Sequence, residues 1–338
     1  MSHSIWFHCK PVADLLVAPW SDKEILCVVI KIFFIGEHMK SFFLKSFVCL
    51  ASAAFSLAHA AEVETTRGAV KVPEQVQSLA VYDIAALDSL KALGIQPKGV
   101  IKDVYVDYLA DMSEKADVHI GTVKDPDLEA LNAMRPDLIV IGGRMAPNYD
   151  VLSKVGPTVD MTLNGKEAFK QGFDRIVTYG KIFNKEDEAA TLIANLENAL
   201  KQTQEAVKGK GKALMIMVNG PKIASFCAES RFGYLFNEIG IEPADLNKND
   251  ATHGQPVSFE FIQKLNPDWI IVMDRTSAIN AKGENAKVVL DNPLLKNTTA
   301  FSKNQVIYLD ASSYLASGGY HQLMAELELL TKAFTASK

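Results

Sequence analysis

The sequence predicts an α/β protein of two Rossmann-like lobes with parallel sheets, joined by a long connecting helix, with a ligand cleft between the lobes. Three observations carry that expectation. First, PDLEALNAMRPDLIVIGGR (Pro126 to Arg144) aligns without gaps on VSFEFIQKLNPDWIIVMDR (Val257 to Arg275). In each copy apolar residues recur at helical spacing, a proline stops the helix, and an unbroken apolar run follows. Second, runs that are apolar at every residue suit strands buried on both faces, as in parallel sheets covered by helices. Third, strands and helices alternate on either side of a long helical region. Two generic helix–loop–strand units would give the same repeat, since such units recur without common function.

The chain of 338 residues is 48% hydrophobic and 22% charged, which is ordinary for a globular protein with an ample core. Its net charge of −5 supplies no basic excess to displace counterions, so no nucleic acid is expected as a partner. The first sixty residues stand apart. From Met39 the chain reads MKSFFLKSFVCLASAAFSLAHAAEVE, with Lys40 and Lys45 ahead of a short apolar run. Ala58-His59-Ala60 then places small residues where a signal peptidase reads them, so residues 39–60 form a secretory signal and the protein is expected in the periplasm. The run is too short for a membrane anchor, which needs roughly 20 apolar residues. Residues 1–38 read as an extension upstream of Met39, the expected initiator. Cys9, Cys27 and Cys49 all precede the cleavage point, which leaves Cys227 alone; neither an internal disulfide nor a thiolate metal site is expected.

The N-terminal lobe, residues 61–165, begins with a strand at Ser78 to Tyr82, a helix at Ala85 to Leu93 and a strand at Gly99 to Lys102. The first repeat copy follows. Phe169, Phe173, Ile176 and Val177 mark the connecting helix, residues 166–183. Leu192, Ile193, Leu196, Leu200 and Val207 mark a second helix, ended by Gly209 and Gly211. The C-terminal lobe, residues 184–338, then adds the strand KALMIMVNG and a hairpin-like segment, NGPKIASFCAE. SRFGYLFNEIGI comes next as a helix, and then the second repeat copy. A helix from Val288 to Leu295, a strand at Gln305 to Asp310 and a terminal helix from about His321 complete it. A helical connection makes a stiff hinge, so lobe motion should be modest.

Ligands of open parallel α/β sheets sit beyond the carboxyl ends of the strands. Arg144 and Arg275 fall there, one per lobe. A guanidinium keeps its charge and offers five donors in a rigid fork, which suits delocalised oxyanions. The alternative is that each caps a carbonyl or pairs with a neighbour such as Asp274. Arg231 stands at a helix start, where a cation opposes the helix dipole; a ligand-facing role and a solvated one both fit. His253 lies in the polar loop NDATHGQP, where a histidine is either a binding group or simply solvated. Tyr314 leaves a strand through YLDASSYLASGG, either at the core edge or facing the cleft.

The chain resembles the iron-siderophore-binding proteins that serve ABC importers, in the helix-linked class, and within it the branch for catecholates such as enterobactin. LNAMRPDLIVIGGR, SRFG, THGQPVSFEFIQKLNPDWIIVMDR and SSYLASGG carry the resemblance, in family order over essentially all of residues 61–338. It implies that Arg144, Arg231 and Arg275 surround a ferric catecholate, the iron arriving as a siderophore complex with no permanent cofactor. It implies that Tyr314 and His253 ligate iron when the siderophore offers only four oxygens; both are donors suited to a hard ferric ion. His253 must be neutral to do so. It implies that Glu129 and Glu260, at one repeat position, dock the monomer onto an inner-membrane permease with its ATPase. Ser312 and Ser313 stand where relatives can carry aromatics, which implies a more open pocket wall. Trp269, the only tryptophan beyond the leader, is expected to report binding by quenching. A cobalamin or haem binder of the same fold would need apolar walls more than three arginines. An exported hydrolase would need a motif such as G-x-S-x-G or HExxH, and the chain has neither.

Overall fold

The computed structural model describes residues 61–246 and 254–336. The signal segment and His253 lie outside the described residues. The described residues group into one compact unit. The described chain opens with an antiparallel hairpin of β1 (Ala61–Thr65) and β2 (Gly68–Val72). The first sheet follows: β3 (Leu79–Val81), β4 (Gly99–Val100), β5 (Val118–His119), β6 (Leu138–Ile141) and β7 (Thr158–Asp160). Its spatial order is β5-β4-β3-β6-β7, and every pair is parallel. The order reverses between β3 and β6, the kind of point where such sheets bind ligands.

The second sheet contains β8 (Lys212–Asn219), β9 (Lys222–Phe226), β10 (Glu242–Pro243), β11 (Gln255–Pro256), β12 (Trp269–Asp274) and β13 (Val306–Tyr308). Its order is β11-β9-β8-β12-β13, with β10 beside β8. Here β8, β10, β12 and β13 are parallel, whereas β9 is antiparallel to β8, and β11 to β9. The sheet is therefore mixed, where wholly parallel sheets were expected. The cause is the two-residue turn Gly220-Pro221, which sends the chain straight back. Gly220 has φ +55°, the conformation that the first position of such a turn demands.

The duplicated sequence is a duplicated structure. Leu128–Met134 and Phe259–Leu265 are both seven-residue helices. Asp127 caps the first by accepting from Ala130 N at 2.9 Å, and Ser258 caps the second by accepting from Phe261 N at 3.2 Å; each cap stabilises by about 1 kcal/mol. Each helix ends on a left-handed residue, Arg135 and Asn266, with proline next in the sequence. The aspartates of the two Pro-Asp pairs also share a task. Asp137 accepts from Gln77 N and Ser78 N, just before β3, and Asp268 accepts from Lys212 N, the first residue of β8. Each ties the start of its own strand to that of the neighbour.

The long helices run over Ala168–Phe183 and Glu186–Val207. Two expected helices are shorter. Val288 to Leu295 is split into Ala286–Val289 and Pro293–Lys296, because Asn292 caps a new start and Pro293 supplies its first residue. In SRFGYLFNEIGI only Tyr234–Asn237 is helical, which leaves Arg231 in the turn before it.

The last helix, Tyr320–Ala336, packs both on Glu186–Val207 and on Ile84–Ala92, the first helix beside the N-terminal sheet. Asp88, fully buried, receives hydrogen bonds from Tyr108 Oη (2.6 Å), His321 N (2.7 Å) and Gln322 N (3.0 Å), and lies 2.9 Å from His321 Nδ1. The chain thus returns to fasten its end to its beginning, and Asp88→Ala would strand these donors. That substitution is expected to cost about 2–4 kcal/mol, since each buried donor left unpaired costs about 1–3 kcal/mol. Urea unfolding measures it, and a loss below about 1 kcal/mol contradicts the fastening.

Candidate functional site

Arg144 follows β6 by way of Gly142 and Gly143, Arg275 follows β12 directly, and Arg231 sits in the turn after β9. All three are half-buried, and all converge on one ring. Their guanidinium carbons stand 5.5 Å (Arg144), 4.5 Å (Arg231) and 5.8 Å (Arg275) from the centroid of Tyr314. Arg275 Nε donates to Tyr314 Oη at 3.0 Å and its Nη1 to Asn219 Oδ1 at 2.9 Å. Arg144 donates to the carbonyls of Tyr314 (2.8 Å) and Leu315 (3.1 Å), and Arg231 to that of Tyr314 (3.2 Å). Carbonyl capping is thus part of what Arg144 and Arg231 do. It leaves most of their five donors and all of their charge unused.

Among the described residues no carboxylate forms an ion pair with any of the three. Asp274, the neighbour available to Arg275, is occupied elsewhere. It caps the Arg275–Ala278 turn by accepting from Ser277 N (3.0 Å) and Ser277 Oγ (2.7 Å), and it also holds Ala286 N (2.8 Å). Among the described residues, three like charges are thus held around one phenol with no carboxylate paired to them, an arrangement that an anion would neutralise.

The ring of Tyr314 divides the cleft. On one side a cavity of about 760 Å³ is lined by Arg231, Arg275, Tyr314, Asn219, Lys222 and, from the other lobe, Lys124. On the other a chamber of about 460 Å³ is lined by Arg144, Arg175, Arg231, Lys124, Tyr314 and Ser317. Gly165 brings the two walls together: a Cβ there would stand 2.3 Å from the Arg231 backbone. Gly165 O instead accepts from Tyr234 N at 3.1 Å.

Burial pushes the Tyr314 phenol up. The Arg275 hydrogen bond and the charges of Arg231, Arg275 and Arg144 outweigh it, so its pKa lies below the ordinary tyrosine value. Each unit of lowering removes about 1.4 kcal/mol from the cost of making phenolate. Burial also lowers the Arg231 pKa, with the nearby charge of Arg144 adding to the effect and Tyr314 opposing it. An arginine nevertheless stays protonated.

His253 lies outside the described residues. The strand after its loop, β11, pairs with β9, and Pro256 and Val257 line the larger cavity. Glu129 and Glu260 are exposed in the first turns of the two repeat helices. A hydrogen bond with Ser258 lowers the Glu260 pKa, so that carboxylate is charged at neutral pH. Ser312 and Ser313 do not open the pocket. Both are 2% exposed, neither lines either of these two cavities, and Ser313 Oγ donates to the buried Glu326. Tyr234 Oη and Gln322 Nε2 donate to the same carboxyl, which anchors the turn bearing Tyr314 from behind. Trp269 is not a contact reporter. It is buried at the start of β12, stacked on Phe334 and donating to Lys210 O, about 20 Å along the strand from Arg275.

Sequence reading missed Lys124 and Arg175. Lys124 lies in a turn before the first repeat copy, and nothing in TVKDPD distinguishes it from a solvated lysine. Arg175 reads as one more polar position of an amphipathic helix, yet it is 4% exposed, and its Nε and Nη1 have no hydrogen-bond partner among the described residues.

A family model described as periplasmic binding protein matches residues 79–313. The chain belongs to that family. Members are substrate-binding proteins. This binding protein is 35% identical over 269 residues to the petrobactin-binding protein YclQ of Bacillus subtilis, covering 77% of this chain and 83% of the relative. The crystal structure of YclQ superposes with a TM-score of 0.77, covering 81% and 98% of the two chains at 32% identity. The ferric-anguibactin-binding protein FatB of Vibrio anguillarum is 29% identical over 279 residues, 80% of this chain and 87% of FatB. The periplasmic catecholate-siderophore-binding protein VctP of Vibrio cholerae superposes with a TM-score of 0.76, at 28% identity, covering 80% and 99%. Among the described residues no helix is long and apolar enough to cross a membrane.

Proposed function

We propose that this binding protein captures ferric catecholate siderophores in the cleft and delivers them to an inner-membrane ABC permease for iron uptake. The observation that carries the reading is the set of three guanidiniums, none paired with a carboxylate among the described residues, around one phenol of lowered pKa. A ferric tris-catecholate is a trianion, so its charge matches the triad. A ferric bis-catecholate leaves two octahedral positions open, which suit Tyr314 and His253. The similarity to the petrobactin-binding YclQ, the ferric-anguibactin-binding FatB and the catecholate-siderophore-binding VctP supports a siderophore as the ligand class. The protein acts by binding and release rather than as an enzyme. Residues 39–60 direct it to the periplasm, where it works as a monomer.

The test is a titration with a ferric bis-catecholate, followed at its ligand-to-metal charge-transfer band. Binding with a shift of the band, as phenolate joins the iron, is the expected outcome; no binding at micromolar concentrations would overturn the reading.

Delivery would use Glu129 and Glu260, exposed at matching positions of the two repeat helices. Glutamate in a first turn is favoured by the helix dipole without any partner, so the proposal rests on the duplication. Docking through exposed charges should be weak and sensitive to salt. A Glu129→Ala, Glu260→Ala double variant is expected to keep its siderophore affinity and to lose iron uptake in cells. Normal uptake by the correctly exported variant contradicts the docking role.

A further inference from the structure

The smaller chamber has a feature that iron ligation does not use. Arg175 comes from the connecting helix, not from a strand end, and is far more buried than the three arginines around Tyr314. Its Nε and Nη1 are buried without a hydrogen-bond partner among the described residues, a rare state for a guanidinium inside a protein. Its one ion-pair contact among the described residues is Asp83 Oδ1, 3.5 Å from Nη1, beyond a good charge-assisted bond. That carboxylate oxygen already accepts from Ala86 N at 2.8 Å as a helix cap. Two further donors line the same chamber: the Ser317 hydroxyl and the Lys124 ammonium, neither hydrogen-bonded through its side chain among the described residues.

We propose that this chamber is an anion subsite for a carboxylate that is carried by the siderophore and not bound to its iron. The inference rests on the ferric-catecholate reading and names a feature of the ligand that the reading leaves open. Catecholate oxygens on iron are served by Tyr314 and the three arginines at the junction of the two cavities. A group reaching past them into the smaller chamber meets a wall that includes two cations, Arg175 and Lys124, and a hydroxyl able to donate, Ser317, with Asp83 as the one carboxylate among the lining residues. A carboxylate supplies two acceptor oxygens and a negative charge for a guanidinium whose only carboxylate neighbour among the described residues, Asp83, stands 3.5 Å away. A neutral arm of the same shape would leave the guanidinium as it is now.

The experiment uses two probes of equal size, the ferric complexes of 3,4-dihydroxybenzoate and of 3,4-dihydroxybenzamide, titrated into the purified protein and into Arg175→Gln. In both probes the catechol oxygens hold iron and the substituent points away, charged in one and neutral in the other. Wild type is expected to prefer the carboxylate at least tenfold, and Arg175→Gln to reduce that ratio to threefold or less. Arg175→Lys keeps the charge without the fork and gives the same readout if the Gln variant does not fold; an intermediate ratio is expected. Ser317→Ala should lower the ratio as well. A ratio near one in wild type overturns the subsite, and so does a ratio unchanged in either Arg175 variant. Equal loss of both probes in the variants assigns Arg175 to the scaffold and also overturns it. If wild type binds neither probe, the ferric-catecholate reading itself fails.

Discussion

Replacing Arg144, Arg231 or Arg275 singly by Ala is expected to weaken ferric catecholate binding by about ten- to a hundredfold. A hydrogen bond to a charged group contributes about 1.5–3 kcal/mol, and about 1.4 kcal/mol is a factor of ten. The three losses will not simply add, because the guanidiniums share Tyr314 and one anion. The triple Ala variant should still bind at least a thousandfold less tightly than wild type. Folding and binding can be separated here. Arg144 and Arg231 also hold the Tyr314 and Leu315 carbonyls, so their removal loosens one turn, whereas the Arg275 side chain holds only Tyr314 Oη and Asn219. Removing mutually repelling charges should leave the melting temperature of Arg275→Ala close to that of wild type. A triple variant that binds as tightly as wild type contradicts the role of the triad.

The second large effect is a difference between ligands. Tyr314→Phe and His253→Ala are expected to weaken ferric bis-catecholates by roughly a hundredfold, and hexadentate tris-catecholates by less than tenfold. Only the bis-catecholate has iron positions for protein donors. The phenylalanine ring still offers its face to the three arginines, so packing is nearly preserved and the lost oxygen is what is measured. Calorimetric titration of both ligand types with both variants gives the comparison. Equal losses for the two ligands would assign these residues to packing or hydrogen bonding.

The same titrations carry a pH dependence with a definite sign. Phenolate formation is eased at Tyr314 because its pKa is lowered in the fold. Ligation there costs less as pH rises toward that value, and the requirement for neutral His253 adds in the same direction. Bis-catecholate affinity should therefore fall on acidification from pH 8 to pH 5.5, and fall less in the His253→Ala variant.

Much of the fold is legible because burial on both faces writes itself into sequence. LIVI and WIIVMD are apolar runs, and β6 and β12 follow them. The repeat is legible for a related reason: caps, prolines and strand-tying aspartates are local devices, so both copies need the same residue types at the same spacing. What could not be read is long-range. Asp88 sits in the helical run IAALDSLKA as its buried polar member, and only the return of His321 and Gln322 from far along the chain explains it. Arg175 is similar: its burial depends on how the connecting helix lies against Asp83. The mixed second sheet, by contrast, was half legible. The hairpin showed in NGPK, but its antiparallel strand was not carried into the expected sheet.

The central claim is that the cleft recognises the negative charge of a ferric catecholate. The most direct measurement is a pair of calorimetric titrations of the protein, one with a ferric tris-catecholate and one with an uncharged ferric tris-hydroxamate, each at 50 mM and 500 mM salt. The account predicts that the catecholate binds at least a hundredfold more tightly at low salt, and that the advantage narrows at high salt. A hydroxamate bound as tightly as the catecholate, with no response to salt, would contradict it.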